Sequence, residues 1–133
     1  MKEDDSTNYE KWFRVADDDL KFAKAGFRET KIPHDACFLC QQVVEKYLKA
    51  FILQNGQEFK KIHDLMKLLK KCILIDRNLE EIIDDCRKLN KYYSRARYPD
   101  DLFIDYTIEE AEEAIKSAER VVNFIKNLNI TSS

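Results

Sequence analysis

Glycine and proline are scarce, with 2 of each in 133 residues. An all-β sandwich or barrel turns every few residues and draws on both types, so the shortage argues for long helices instead. It also excludes a glycine-rich phosphate loop. No apolar stretch of signal-peptide type follows the Met-Lys-Glu-Asp-Asp start, and no later run is long enough to span a bilayer. The expectation is a cytoplasmic protein without membrane association. Its 4 cysteines are then reduced thiols rather than a disulfide framework. A formal net charge of -2 gives the whole chain no general affinity for polyanions. Histidine is limited to His34 and His63, each read as a surface or capping group, with no serine or cysteine beside it in a nucleophile motif.

The remaining composition is 44% hydrophobic and 36% charged, enough apolar material for a core and too much for a disordered chain. The length fits one domain, 1–133, with an ordered core from about residue 8 to residue 128. Trp12, Ala16, Leu20, Ala23 and Phe27 recur at spacings of four and three, one face of a first helix opened by a capping box at Thr7–Glu10. Gly26 weakens its end, and Arg28–Lys31 reads as a loop. Pro33 opens a second helix that runs to about Gln54, before Asn55-Gly56. Its apolar stripe is Cys37, Cys40, Val44, Tyr47, Leu48 and Phe51. Gln41, Gln42, Glu45, Lys46 and Lys49 fill the remainder, with Glu45 and Lys49 an i,i+4 pair.

Ile62, Leu65, Leu68, Leu69 and Cys72 suggest a third helix, broken at Asp76-Arg77-Asn78. Leu79, Ile82, Ile83, Cys86 and Leu89 mark a fourth segment behind a second capping box at Asn78–Glu81. Thr107–Glu110 is a third such box. It opens a last helix with Ile108, Ala111, Ile115, Ala118, Val122, Ile125 and Leu128 on its face, and Ile130–Ser133 reads as a loose tail. Helices joined by short loops favour antiparallel neighbours, so the expected fold is all-α, an up-and-down antiparallel bundle of four to five helices.

Few constellations could carry chemistry. Cys37 and Cys40 have the CxxC spacing, but zinc needs two further ligands and a redox role needs a βαβ setting, so buried thiols are expected and no metal or cofactor. Asn90–Asp101 is different. Lys91, Arg95 and Arg97 gather there with Tyr92, Tyr93 and Tyr98, where the helical period lapses. Arginine supplies a planar fork for phosphate and tyrosine a stacking face for a base, on a loop between rigid helices. The candidate nucleotide- or RNA-binding residues are therefore Lys91, Arg95, Arg97, Tyr98 and Asp100. The plain alternative is a structural loop, with Tyr92 and Tyr98 plugging the bundle end and Arg95 and Arg97 paired with Asp100, Asp101 or Asp105. A basic run, Arg87–Arg97, followed by an acidic one, Asp100–Glu113, reads as a local field or as two solvated faces.

Ala36–Ala50 (ACFLCQQVVEKYLKA) resembles the second-helix signature of the HEPN domain (higher eukaryotes and prokaryotes nucleotide-binding), and Ser94–Asp100 (SRARYPD) the loop before that family's last helix. Trp12 to Leu20 and His63-Asp-Leu65 agree with it. The resemblance implies a helical bundle, usually a homodimer. It also implies a nucleotidyltransferase-type protein partner in a pair resembling a toxin–antitoxin module. Other members are metal-independent ribonucleases in which an Arg and a His four to six residues apart form the site. Here the positions counted from Arg95 hold Asp100, Asp101 and Leu102, and those from Arg97 hold Leu102, Phe103 and Ile104. Arg28 and His34 have the bare spacing but fall in the first interhelical loop. A binding module without catalysis is thus the first expectation. The alternatives are a ribonuclease with a non-standard site, using Arg97 with Asp100, Asp101 or His63, and a purely structural interaction protein.

Overall fold

A computed structural model describes residues 8–93 and 105–131. It is all-helical: α1 (Tyr9–Thr30), α2 (Pro33–Gln54), α3 (Leu65–Ile75), α4 (Ile83–Asn90) and α5 (Ile108–Thr131), with a 3-10 stretch at Arg77–Ile82 leading into α4. No helix of the described residues is long and apolar enough to cross a membrane.

α2 is the axis of the bundle and packs against α1, α3, α4 and α5. Both of its flanks are apolar: Val43, Val44, Leu48, Phe51, Ile52 and Leu53 are all buried. Two residues join α1 to α2, which forces them antiparallel. Cross-links between them agree: Lys46 pairs with Asp19, and Tyr47 donates its hydroxyl hydrogen to Asp17 at 2.5 Å. α1 and α5 are likewise antiparallel, tied by Lys24–Glu119 at 2.5 Å and Asp17–Lys126 at 3.5 Å. α4 meets α5 through Asp85–Arg120 at 2.8 Å and Lys91–Glu110 at 3.6 Å. The α2–α3 step differs. Residues 55–64 double back along α2, so α3 runs in the direction of α2: His63 O accepts from Gln41 while Cys72 Sγ reaches Leu48 O.

Several boundaries differ from the sequence reading. α1 does not fray at Gly26 but runs to Thr30, whose hydroxyl donates to Gly26 O at 2.7 Å. Lys31 stops it with φ 55°, a left-handed cap made by a residue with a Cβ. Asn8 occupies the N-cap position of α1, and Thr7 lies outside the described residues. α3 begins at Leu65, with Asp64 accepting from Met66 N at 2.8 Å. The cap expected at Asn78 is supplied by Asp76, which accepts from Asn78 N at 2.9 Å. The Thr107–Glu110 box forms as read, with both reciprocal bonds at 2.9 Å. α5 continues through Thr131 rather than loosening at Ile130, and Ile108 on its expected core face is exposed.

Candidate functional site

The Arg/Tyr loop leaves the bundle at Tyr93 and returns at Tyr106. Arg95, Arg97, Tyr98 and Asp100 lie outside the described residues, but both anchoring ends are defined. The ring of Tyr93 lies flat on that of His63, centroids 5.0 Å apart and planes 10° from parallel. The ring of Tyr106 stacks on His34, at 5.2 Å and 22°. Both histidines therefore stand under the ends of this loop. Tyr92 joins the two sides: it is buried, meets Tyr106 edge-on at 5.1 Å, and donates to the Cys37 thiol. Burial pushes its hydroxyl pKa above the usual phenol range, with the neighbouring Cys37 adding to the shift.

Lys91 is exposed beside this end. Its ammonium lies 3.6 Å from Glu110 and 5.3 Å from the centroid of Tyr92. With Lys88–Glu113 at 3.8 Å, this brings the start of the basic run against the acidic first turns of α5. The charge asymmetry of the sequence thus serves in part to dock α4 against α5.

On the sequence alone Gln41, Glu45 and Lys49 belong to the polar remainder of α2. The structure buries all three. They stand four residues apart, so they form one line down a helix enclosed on both flanks. Glu45 is the hub. Its Oε2 accepts from Lys49 Nζ at 2.8 Å and contacts His63 Nδ1 at 2.9 Å, and its Oε1 accepts from Gln41 Nε2 at 3.2 Å. Gln41 Nε2 also reaches His63 O at 3.3 Å, so α2 grips both the ring and the backbone of His63. The Lys49 ammonium faces the rings of Phe59 and Trp12, at 5.1 and 5.9 Å. Asn90 completes the frame, accepting from Leu65 N at 2.8 Å and donating to Asp64 at 3.1 Å. That pair fixes the end of α4 to the start of α3, next to His63.

His63 is therefore more than the surface or capping group expected: its side chain is 46% exposed, yet held by a carboxylate that is only 7% exposed. His34 is half-buried rather than exposed, and its Nε2 is buried with no hydrogen-bond partner among the described residues. The signal for the buried line was present in the apolar flanks of α2, because a helix covered on both sides must bury its polar residues too. The CxxC cysteines behave as expected. All four thiols are free and buried, and burial pushes Cys37 up to about 11 and Cys40 and Cys72 up to about 12. No group of three or more potential metal ligands occurs among the described residues.

The family model for the HEPN domain matches residues 9–128. The chain belongs to the HEPN family. Among curated relatives, the protein named "Putative toxin MJ1304" of Methanocaldococcus jannaschii is 30% identical over 135 residues, covering 90% of this chain and 87% of its own length. Two solved structures share the fold. TT1696 from Thermus thermophilus is 29% identical, with a TM-score of 0.74 over 90% of this chain and 97% of its own. ST0689, described as an archaeal HEPN homologue, is 28% identical, with a TM-score of 0.69 over 90% and 96%. For this HEPN domain the second-helix signature and the buried Gln41–Glu45–Lys49 line are the same segment. The residues that carry the resemblance also hold His63.

Proposed function

We propose that this HEPN domain is an RNA- or nucleotide-binding module whose ligand is met by Lys91, Arg95, Arg97, Tyr98 and Asp100. One observation carries the reading. The loop bearing both arginines starts and ends on stacked Tyr–His pairs, His63–Tyr93 and His34–Tyr106. Such anchoring holds a cationic, aromatic segment at one end of a rigid bundle, where sites are ordinarily carried. The N-termini of α2, α3 and α5 lie at that same end, and their partial positive charge favours a phosphate there. The cations take the phosphates, and the tyrosine faces take bases.

The reading extends to the assembly. The domain acts as a homodimer beside a nucleotidyltransferase-type protein partner in a toxin–antitoxin-like pair. The family resemblance and the relative named as a toxin support this. Titration of a labelled single-stranded RNA, followed by fluorescence anisotropy, tests the ligand. Saturable binding that weakens at least tenfold in Arg95→Ala/Arg97→Ala supports the reading. Binding at background level, or binding unaffected by that pair, ends it.

A specific observation also favours a second reading, a metal-independent ribonuclease with a non-standard site. Glu45 orients His63 as carboxylates orient a general base. Cleavage of RNA by metal-free protein, abolished by His63→Ala, would establish it.

A further inference from the structure

We infer that His63, oriented by the buried Glu45, is a ligand-contacting residue that accepts a hydrogen bond from a ribose 2′-hydroxyl, so that the site selects RNA over DNA. The inference rests on the binding reading above and names the ligand class of the same site.

The Gln41–Glu45–Lys49 line has no obvious purpose as a stabilising device. Burying an ion pair in a core helix adds little stability, because apolar residues of the same size serve as well or better. Here the pair is 7% and 8% exposed and leads to one ring, His63. That residue is fixed at three points: Nδ1 on Glu45, one ring face on Tyr93, and its carbonyl on Gln41. Its side chain nevertheless remains 46% exposed. A ring placed only to fill space needs neither the carboxylate nor the exposure.

The hydrogen bond then decides what the exposed side of the ring can do. An ionised carboxylate only accepts, so Nδ1 carries the hydrogen. In the neutral ring the outward nitrogen, Nε2, is consequently an acceptor. Among the described residues it has no hydrogen-bond partner. Phosphate oxygens also only accept, and they match the donors of Lys91, Arg95 and Arg97 instead. The group that matches Nε2 must be a donor on the ligand. Tyr93 covers one ring face, so the edge of the ring is what the site presents. A ribose 2′-hydroxyl stands next to the phosphate that the cations hold, and it is the group by which a protein distinguishes RNA from DNA. Amino groups of bases are the competing donors, and they are present in both nucleic acids.

The test uses the whole chain and three oligonucleotides of one sequence: RNA, the same RNA with 2′-O-methyl riboses, and DNA. The methyl ether keeps the ribose and the bases while removing the donor hydrogen. Wild-type protein is expected to bind RNA roughly tenfold more tightly than either of the others. In His63→Ala the three affinities should converge on the weaker value. Long-range 1H–15N spectra of the unaltered protein provide a second measurement that needs no variant. They should show the His63 proton on Nδ1, and the Nε2 resonance should move when RNA is added but not when 2′-O-methyl RNA is added. Equal wild-type binding of all three oligonucleotides, or a proton on Nε2, overturns this inference and leaves the binding reading intact. Failure to bind any of them overturns both.

Discussion

Glu45 is held in place by three partners and in turn holds His63, so its replacement should cost more than the loss of a surface charge. Glu45→Ala leaves the Lys49 ammonium buried and unpaired, and should lower unfolding free energy by about 3 kcal/mol. Removing the pair together, as Glu45→Gln with Lys49→Met, should cost less than about 1 kcal/mol, because no buried charge remains. Urea unfolding of both proteins, read by far-UV circular dichroism, measures the difference. If the single substitution is as mild as the double, the pair is not buried in solution. The cysteines give a second check at this scale. Burial raises Cys37 to about 11 and Cys40 and Cys72 to about 12, so almost no thiolate is present near pH 8. Ellman's reagent should label the native protein very slowly and all 4 thiols at once after unfolding.

At the level of helices, local chemistry explains where reading the sequence succeeded. α2 starts at Pro33 and ends before Asn55-Gly56 because both signals act within a turn, and Gly56 adopts φ 75° as a glycine stop should. The capping box of α5 is equally local. Replacing Thr107 with Ala should cost about 1 kcal/mol in thermal unfolding. Misplaced boundaries have longer-range causes. α1 passes through Gly26 because Ala23 and Phe27 are buried on either side of it, and packing outweighs one weak helix former. Lys31 was unreadable as a cap, since lysine rarely adopts a positive φ. Lys31→Gly should therefore raise stability by about 0.5–1 kcal/mol, and a lowered melting temperature would contradict the strain argued for it. The site was legible only in part. The Arg/Tyr cluster shows in a linear sequence. The partner of His63 does not, because Glu45 lies 18 residues away and the two meet only when residues 55–64 fold back along α2.

For the molecule as a whole, the near-zero net charge conceals a division of labour. Acidic first turns of α5 pair with Lys88 and Lys91, while the arginines that follow are the cations left for a phosphate ligand in the reading proposed here. RNA binding should then weaken with salt. The slope of log affinity against log salt should become shallower by roughly 1.4 in Arg95→Ala/Arg97→Ala, as expected when about two phosphate contacts to a single strand are removed. The homodimer proposed for the domain predicts a sedimenting species of twice the chain mass of 15.8 kDa.

The central claim is that ligand is bound at the end of the bundle where the Arg/Tyr loop meets His63 and His34. Amide chemical-shift mapping with unlabelled single-stranded RNA tests it most directly. Perturbations are predicted to concentrate at residues 33–37, 62–65, 90–107 and the first turn of α5, with the opposite end of the bundle, around Gln54 and Asp76, unchanged. Perturbations centred on that opposite end, or none at saturating RNA, would contradict it.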